Sequence, residues 1–373
     1  MKKKIISLIL TATIILSTSS ISTSAIEIER NNSTLHNAVE DVLKSYFDAN
    51  LESEKQLQSL KNESIVPDSS LETLTELQYE LKAKVNSKYN QKLDSYSTNI
   101  EINSISYEGD LIKVNANNKV TCKYSSCEDN SFYTESHVLY LKEIDNNLLV
   151  EKDILSLEGN AANVENSIKK DFSNNITRSS NEDFYESYIE NQLDMLKDKL
   201  DNTDKYFSEP SGENLNNQRH TPRLNGLIYN GTGAANWALN NVYSKEDYEG
   251  NDCTNFVSKA LCFGGGMKQD FRYNWYQGSM RWIRVNELYE YLSPITGYCS
   301  NYYPNWYAVP GDVIQLYNKN KQTFSHSLIV TKKVGSGNVY VSAHSNAALN
   351  VPLTNYLTNG IYSDDRLLSF IVS

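Results

Sequence analysis

One cysteine, Cys253, lies where the sequence predicts the first turn of a helix. Asn251 or Asp252 can cap this helix, and Gly264-Gly265-Gly266 ends it. The positive end of a helix dipole favours thiolate over thiol, so this position predicts a nucleophilic sulfur. The alternative is a small buried residue that anchors a core helix. The apolar spacing i, i+3, i+4, i+7 and i+8 predicts one buried helical face, formed by Cys253, Phe256, Val257, Ala260 and Leu261.

Two histidines in the same region could complete such a site. His326 lies near the start of a predicted strand, and His344 lies at the end of the next one. Gly335-Ser336-Gly337 joins the two strands as a hairpin, so both imidazoles are expected to face one helix terminus. A cysteine nucleophile needs a base and usually a third group that orients the base. Each histidine alone is more often structural, but with Cys253 they predict a Cys-His-His site.

Residues from Tyr229 to about Leu357 resemble the putative amidase domain of exported bacterial proteins, which is related to the NlpC-type and CHAP cell-wall cysteine hydrolases. The resemblance implies a papain-like α+β fold, with Cys253 as nucleophile, His326 as base and His344 as the orienting group. It implies no cofactor. The matching segments are Asp252-Cys253-Thr254-Asn255-Phe256-Val257-Ser258, Gly264-Gly265, Trp275-Tyr276, Pro310-Gly311-Asp312, His326 followed by Ile329-Val330, and His344-Ser345.

Several positions depart from the family pattern. Asn230 and Gly231 stand where an Asp-Arg pair is expected, and Lys259 replaces a glutamine. Ser325 replaces an acidic residue before the base, and Ala347 replaces an aspartate after His344. The catalytic trio is retained, but the lost acidic partners would weaken or redirect the activity.

The expected function is that of a secreted cysteine hydrolase that cleaves an amide bond in peptidoglycan or a wall-associated peptide. The Cys253 N–H is expected to help stabilise the oxyanion. Trp275, Tyr276 and Trp282 would line a groove for glycan or peptide, or else fill the core. Two alternatives are a papain-like binding module without turnover and a zinc site formed by Cys253, His326 and His344. The helix-start thiol and the resemblance argue against the zinc site, so no metal is expected.

The chain divides into four segments by pattern. Residues 1–25 read as a signal peptide, because three lysines precede a short apolar run and a small-residue cleavage site. Residues 26–160 predict two helices followed by antiparallel strands, an α+β domain that resembles the NTF2-like or cystatin-like cone. Residues 161–226 predict a solvated helix and a linker, and residues 227–373 form the amidase-like domain. No stretch after residue 25 is long and apolar enough to span a membrane.

The charge distribution argues against nucleic-acid binding, and the cysteine content leaves the disulfide pairing open. Residues 26–220 contain 20 Lys+Arg against 36 Asp+Glu, whereas residues 221–373 contain 12 against 10. Neither half has the basic stripe that nucleic-acid binding needs. Cys122 could pair with Cys127, and Cys262 with Cys299, which would leave Cys253 free.

Overall fold

Strands from both halves of the chain form one sheet in the computed structural model, which describes residues 21–174, 184–207, 229–301, 304–335 and 337–370. Residues 1–20 of the predicted signal peptide and most of the predicted linker lie outside these ranges. The fold is of the α+β class, as the sequence predicts, with a large antiparallel sheet.

The first half begins with two helices and continues with four strands. Ser69 caps the second helix by accepting a hydrogen bond from the Glu72 N–H at 3.2 Å. Alternating burial along the second strand matches the predicted period of two. The two helices and the turns between the strands confirm the predicted order. The elements are α1 (Ile21–Gln56), α2 (Ser70–Lys88), β1 (Leu93–Glu108), β2 (Leu111–Tyr124), β3 (Asn130–Ile144) and β4 (Asn147–Ser156).

Three helices follow β4. The sequence predicts the second of them as a solvated helix, but one of its faces is buried. The three helices are α3 (Ala161–Asn174), α4 (Phe184–Asp201) and α5 (Thr203–Phe207). One face of α4 is buried, including Tyr185, Ile189 and Leu196. Its Lys199 Nζ donates hydrogen bonds of 2.8 Å to two backbone carbonyls of the second half. The prediction was wrong because scattered apolar residues on an acidic helix still form a stripe that can be buried.

The second half places short helices before its strands. A π-helical stretch, residues 260–264, continues the helix that begins at Cys253 as far as the predicted glycines. The last two strands and the short helix between them were not predicted from the sequence. The elements are α6 (Gly231–Asn241), α7 (Cys253–Lys259), α8 (Met280–Ile283), α9 (Val285–Glu290), β5 (Val313–Asn318), β6 (Thr323–Val334), β7 (Asn338–Ala343), β8 (Ala348–Pro352), α10 (Leu353–Leu357) and β9 (Tyr362–Leu368).

The sheet order is β1-β2-β3-β8-β7-β6-β5-β9, and β4 also pairs with β3. The halves meet where Phe132 and Tyr133 of β3 pair with Leu349 and Ala348 of β8. Leu328 of β6 packs in a hydrophobic cluster to which both halves of the chain contribute, whereas its neighbour Ile329 packs with α6 and α7. The strand β6 therefore separates two hydrophobic layers.

All five cysteines are free, so the two disulfides considered from the sequence do not form. In the part of the chain that the structure describes, no helix has both the length and the apolar character needed to cross a membrane.

A close backbone contact between Gly231 and Gly311 fixes the start of α6 against the turn before β5. Gly311 has φ +96°, and an added Cβ would lie 2.3 Å from the Gly231 Cα. We expect Gly311→Ala to lower the free energy of unfolding by at least about 2 kcal/mol, because it adds a clash to an unfavourable backbone conformation. Urea unfolding measures the loss.

Gly335→Ala is the matched control for this prediction. Gly335 also has positive φ (+60°), but no atom lies within 4 Å of its added Cβ. Its free energy of unfolding should fall by about 1 kcal/mol, the cost of a non-glycine residue in the left-handed conformation. Equal losses in the two variants would contradict the role assigned to the Gly231–Gly311 contact.

Candidate active site

Cys253 opens α7, and the helix start is held by a residue far along the chain. The Ser345 Oγ accepts hydrogen bonds from the N–H groups of Asp252 (2.5 Å) and Cys253 (3.1 Å). Asp252 is the N-cap residue, as expected, but its side chain accepts no hydrogen bond from a backbone N–H of the helix. The serine hydroxyl therefore supplies the cap that the sequence assigned to Asn251 or Asp252.

His344 lies beside the start of the same helix. Its Nδ1 is 2.7 Å from the Asp252 Oδ2, and its Nε2 is 3.2 Å from the Asn241 carbonyl oxygen. Its ring stacks on Phe256 of α7 at a centroid distance of 4.2 Å. Both ring nitrogens therefore face oxygen atoms of the neighbouring segments. The predicted orienting residue thus contacts the residue before Cys253.

His326 lies on the other side of β6. The Oγ of the next residue, Ser327, is 3.0 Å from the Thr254 Oγ1 of α7. Successive side chains of a strand point to opposite faces, so the His326 ring faces away from α7. There it lies near Tyr356 and Tyr362, with centroid distances of 5.9 and 6.3 Å. Neither ring nitrogen has a hydrogen-bond partner among the described residues.

No hydrogen bond joins the Cys253 Sγ to either imidazole in the described part of the chain. The Cys253 Sγ lies 3.8 Å from the Thr254 Oγ1. The three residues of the predicted site thus lie around the junction of α7, β6 and β7 without contacting one another through hydrogen bonds. Their catalytic roles remain predictions.

Burial determines the protonation of the thiol and of the His326 ring. It raises the pKa of Cys253 to about 11 and lowers the pKa of His326 to about 4. The sequence predicted the opposite direction for Cys253. Desolvation outweighs the dipole of the helix that begins at Cys253. At neutral pH the site therefore contains a thiol and a neutral imidazole rather than an ion pair.

The raised pKa predicts slow alkylation of Cys253 at neutral pH. Because only the thiolate reacts, the rate of iodoacetamide labelling should rise by about tenfold per pH unit up to about pH 11. Peptide mass spectrometry after timed exposure measures the rate at each pH. The unfolded chain, whose thiols titrate near their ordinary value, is the control. A rate that levels off below pH 8 would contradict the assigned protonation.

A cleft of about 400 Å³ opens at Cys253. Its wall includes side chains from both halves of the chain. The sequence did not predict most of them, because their proximity depends on contacts between distant segments. The polar and charged lining residues include Glu158, Arg284, Glu287, Lys321, Ser325 and Ser345.

The predicted substrate-binding aromatic residues do not line this cleft. Trp275 and Trp282 are fully buried and pack together at a centroid distance of 4.9 Å. The Trp282 Nε1 donates to the Asn255 Oδ1 at 2.8 Å. Tyr276 is partly exposed and stacks on Phe271. The two tryptophans therefore fill the core, which was the alternative to a place in the substrate groove.

Three of the residues that depart from the family pattern have side-chain partners in the structure. The Asn230 side chain caps α6 by accepting from the Gly233 N–H at 3.0 Å. The Lys259 Nζ lies 2.6 Å from the Asp247 Oδ2. Ser325 donates to the Glu158 Oε1 at 2.8 Å. Two of the substituted positions are therefore tied to carboxylates.

The zinc alternative has no cluster to support it within the described residues. Nowhere in these ranges do three or more histidine, cysteine, aspartate or glutamate side chains lie together as metal ligands.

Residues 227–366 match the family model described as a putative amidase domain. No curated protein and no solved structure matches the chain. The family match supports a hydrolase and suggests amide hydrolysis in general.

Proposed function

We propose that this protein is a secreted cysteine hydrolase that cleaves an amide bond in peptidoglycan or in a wall-associated peptide. Cys253 is the nucleophile, His326 the base and His344 the positioning residue. The main support is that the segment matched by the amidase family places Cys253 at the start of a helix and in the wall of a cleft. Packing of α7 against the antiparallel strands β6 and β7 is the papain-like arrangement we propose for this segment.

The reaction begins from a neutral thiol and a neutral imidazole. Proton transfer from the Cys253 Sγ to His326 accompanies attack of the sulfur on the amide carbonyl, because burial disfavours a preformed ion pair. Transfer requires a local rearrangement of β6 that turns the His326 ring toward α7, since the ring faces the other side of the strand. The imidazolium then protonates the leaving amine, and the neutral ring activates the water that hydrolyses the thioester.

The oxyanion requires a donor other than the one expected from the sequence. The Cys253 N–H already donates to the Ser345 Oγ. Because this oxygen accepts from two N–H groups, its own hydrogen is free to donate elsewhere. Ser345 also lines the cleft. We assign the hydroxyl of Ser345 to the developing oxyanion.

A catalytically weak or inactive binding module is the second candidate. The observation in its favour is that no hydrogen bond joins Cys253 to His326 or His344 among the described residues. A papain-like cleft of this kind would hold a wall peptide without cleaving it.

Treatment of purified peptidoglycan and soluble muropeptides with the chain from Ile26 onward distinguishes these functions. Mass spectrometry and an amine-reactive reagent detect each cleaved amide. The hydrolase should release new amino groups, and His326→Ala should abolish the release. His36→Ala changes an exposed histidine outside the cleft and is the control. Cosedimentation with peptidoglycan without new amines, unchanged in Cys253→Ala, would instead establish the binding module.

A further inference from the structure

A carboxylate from the first half of the chain lies in the cleft. Glu158 belongs to the loop between β4 and α3, outside the segment matched by the amidase family. Its Oε1 accepts hydrogen bonds from the Ser325 Oγ at 2.8 Å and the Asn318 Nδ2 at 2.9 Å, and the Lys321 Nζ lies 3.1 Å away. Its side chain is only 7% exposed. The carboxylate is thus held on the residue that precedes His326.

The backbone around Glu158 is fixed to the second half. The Asn346 Nδ2 donates to the carbonyls of Ser156 and Gly159 at 2.8 and 3.1 Å. Gly159 has φ +104°, and an added Cβ would lie 2.6 Å from the Gly250 carbonyl oxygen. Only glycine allows this approach. Backbone contacts on both sides of Glu158 therefore hold the loop against the second half, in addition to the hydrogen bonds of the Glu158 side chain.

We infer that Glu158 is a positioning residue of the active site, a negative charge supplied by the first half of the chain to stabilise the imidazolium of His326. This inference rests on the proposed cysteine hydrolase. In the step concerned, the S–H bond of Cys253 breaks, a C–S bond forms to the amide carbon and an N–H bond forms on His326, while the carbonyl π electrons move to oxygen. An oxyanion and an imidazolium thus replace the neutral groups. The Glu158 carboxylate, held on the residue before His326, lowers the free energy of the imidazolium.

The electrostatics of the site have the sign that this role requires. The charge of Glu158 raises the pKa of both His326 and Cys253, whereas Lys321 lowers that of His326. The other titratable side chains that pack against the His326 ring are Tyr356 of α10 and Tyr362 of β9, and burial raises the pKa of both tyrosines. They are neutral at physiological pH. Glu158 and Lys321 are therefore the charged groups that act on this histidine.

Glu158→Gln tests the inference because it removes the charge and retains an oxygen that can accept from Ser325 and Asn318. Two effects of opposite direction are expected. Loss of the negative charge lowers the pKa of Cys253, so the alkylation profile should move by about 0.5 to 1 unit toward lower pH. Hydrolysis should fall by about tenfold or more, because the imidazolium loses its stabilising charge. A purely structural defect would reduce hydrolysis without making the thiol more reactive.

Two further variants sharpen the test. Ser325→Ala removes one hydrogen bond to the carboxylate but keeps its charge, so the alkylation profile should not move toward lower pH. Glu158→Asp keeps the charge and should restore part of the hydrolysis lost in Glu158→Gln. Both variants and the wild type are compared as chains from Ile26 onward, with thermal unfolding to confirm that each is folded.

The outcomes separate this inference from the proposed function. An unshifted alkylation profile in Glu158→Gln, or hydrolysis equal to that of the wild type, would overturn the role of Glu158 alone. Hydrolysis that persists in Cys253→Ala would overturn the cysteine mechanism and, with it, this role. The alkylation profile needs no substrate, so the electrostatic effect is measured whether or not the correct wall amide has been identified.

Discussion

Replacing Cys253 with alanine is expected to reduce amide hydrolysis by at least about 10³-fold, because no covalent thioester can form without the sulfur. The assay is the release of amino groups from muropeptides at saturating substrate. The fold should survive, since the substitution removes one sulfur atom and leaves the backbone hydrogen bond from residue 253 to Ser345 in place. Binding of the wall peptide should therefore be retained, which separates loss of chemistry from loss of the cleft.

Cys262→Ala is the matched control for this variant. Cys262 is a free thiol of the same segment, half-buried and outside the cleft. Its removal should leave the turnover number unchanged. Hydrolysis that persists in Cys253→Ala, or that is lost equally in both variants, would contradict the assignment of Cys253 as the nucleophile.

Replacing Trp275 with alanine is expected to lower the free energy of unfolding by about 3–5 kcal/mol, the usual cost of deleting a large buried aromatic side chain. Trp275 is fully buried, and its ring stacks on Tyr291 at a centroid distance of 5.1 Å and contacts Trp282. Urea unfolding followed by circular dichroism measures the loss. The cavity that remains would lie beside the rings of Trp282 and Tyr291.

Tyr276→Ala provides the comparison from the adjacent position. Tyr276 is partly exposed and stacks mainly on the exposed Phe271, so its loss should cost less than about 1 kcal/mol. If Trp275→Ala instead left stability unchanged and only weakened binding of a wall peptide, the substrate groove predicted from the sequence would be correct and the core role would be wrong.

Local sequence patterns determined the main helices and strands before β8 and the position of the thiol. Apolar periodicity predicts α2, and alternation predicts β2 and β3, because both signals act between residues close in the chain. The same kind of signal placed Cys253 at the beginning of α7. The ordered motifs around it identified the segment that matches the amidase family.

Tertiary structure decided which of these residues meet and in which protonation state. The face on which His326 lies depends on the register of β6, and a shift of one residue would turn the ring toward α7. Burial, which no local pattern specifies, reverses the expected pKa shift of Cys253. Glu158 reaches the cleft through hydrogen bonds to residues more than 150 positions away. Such contacts arise from packing two halves on one sheet, whereas hydrophobic periodicity reports only how each element faces its own core.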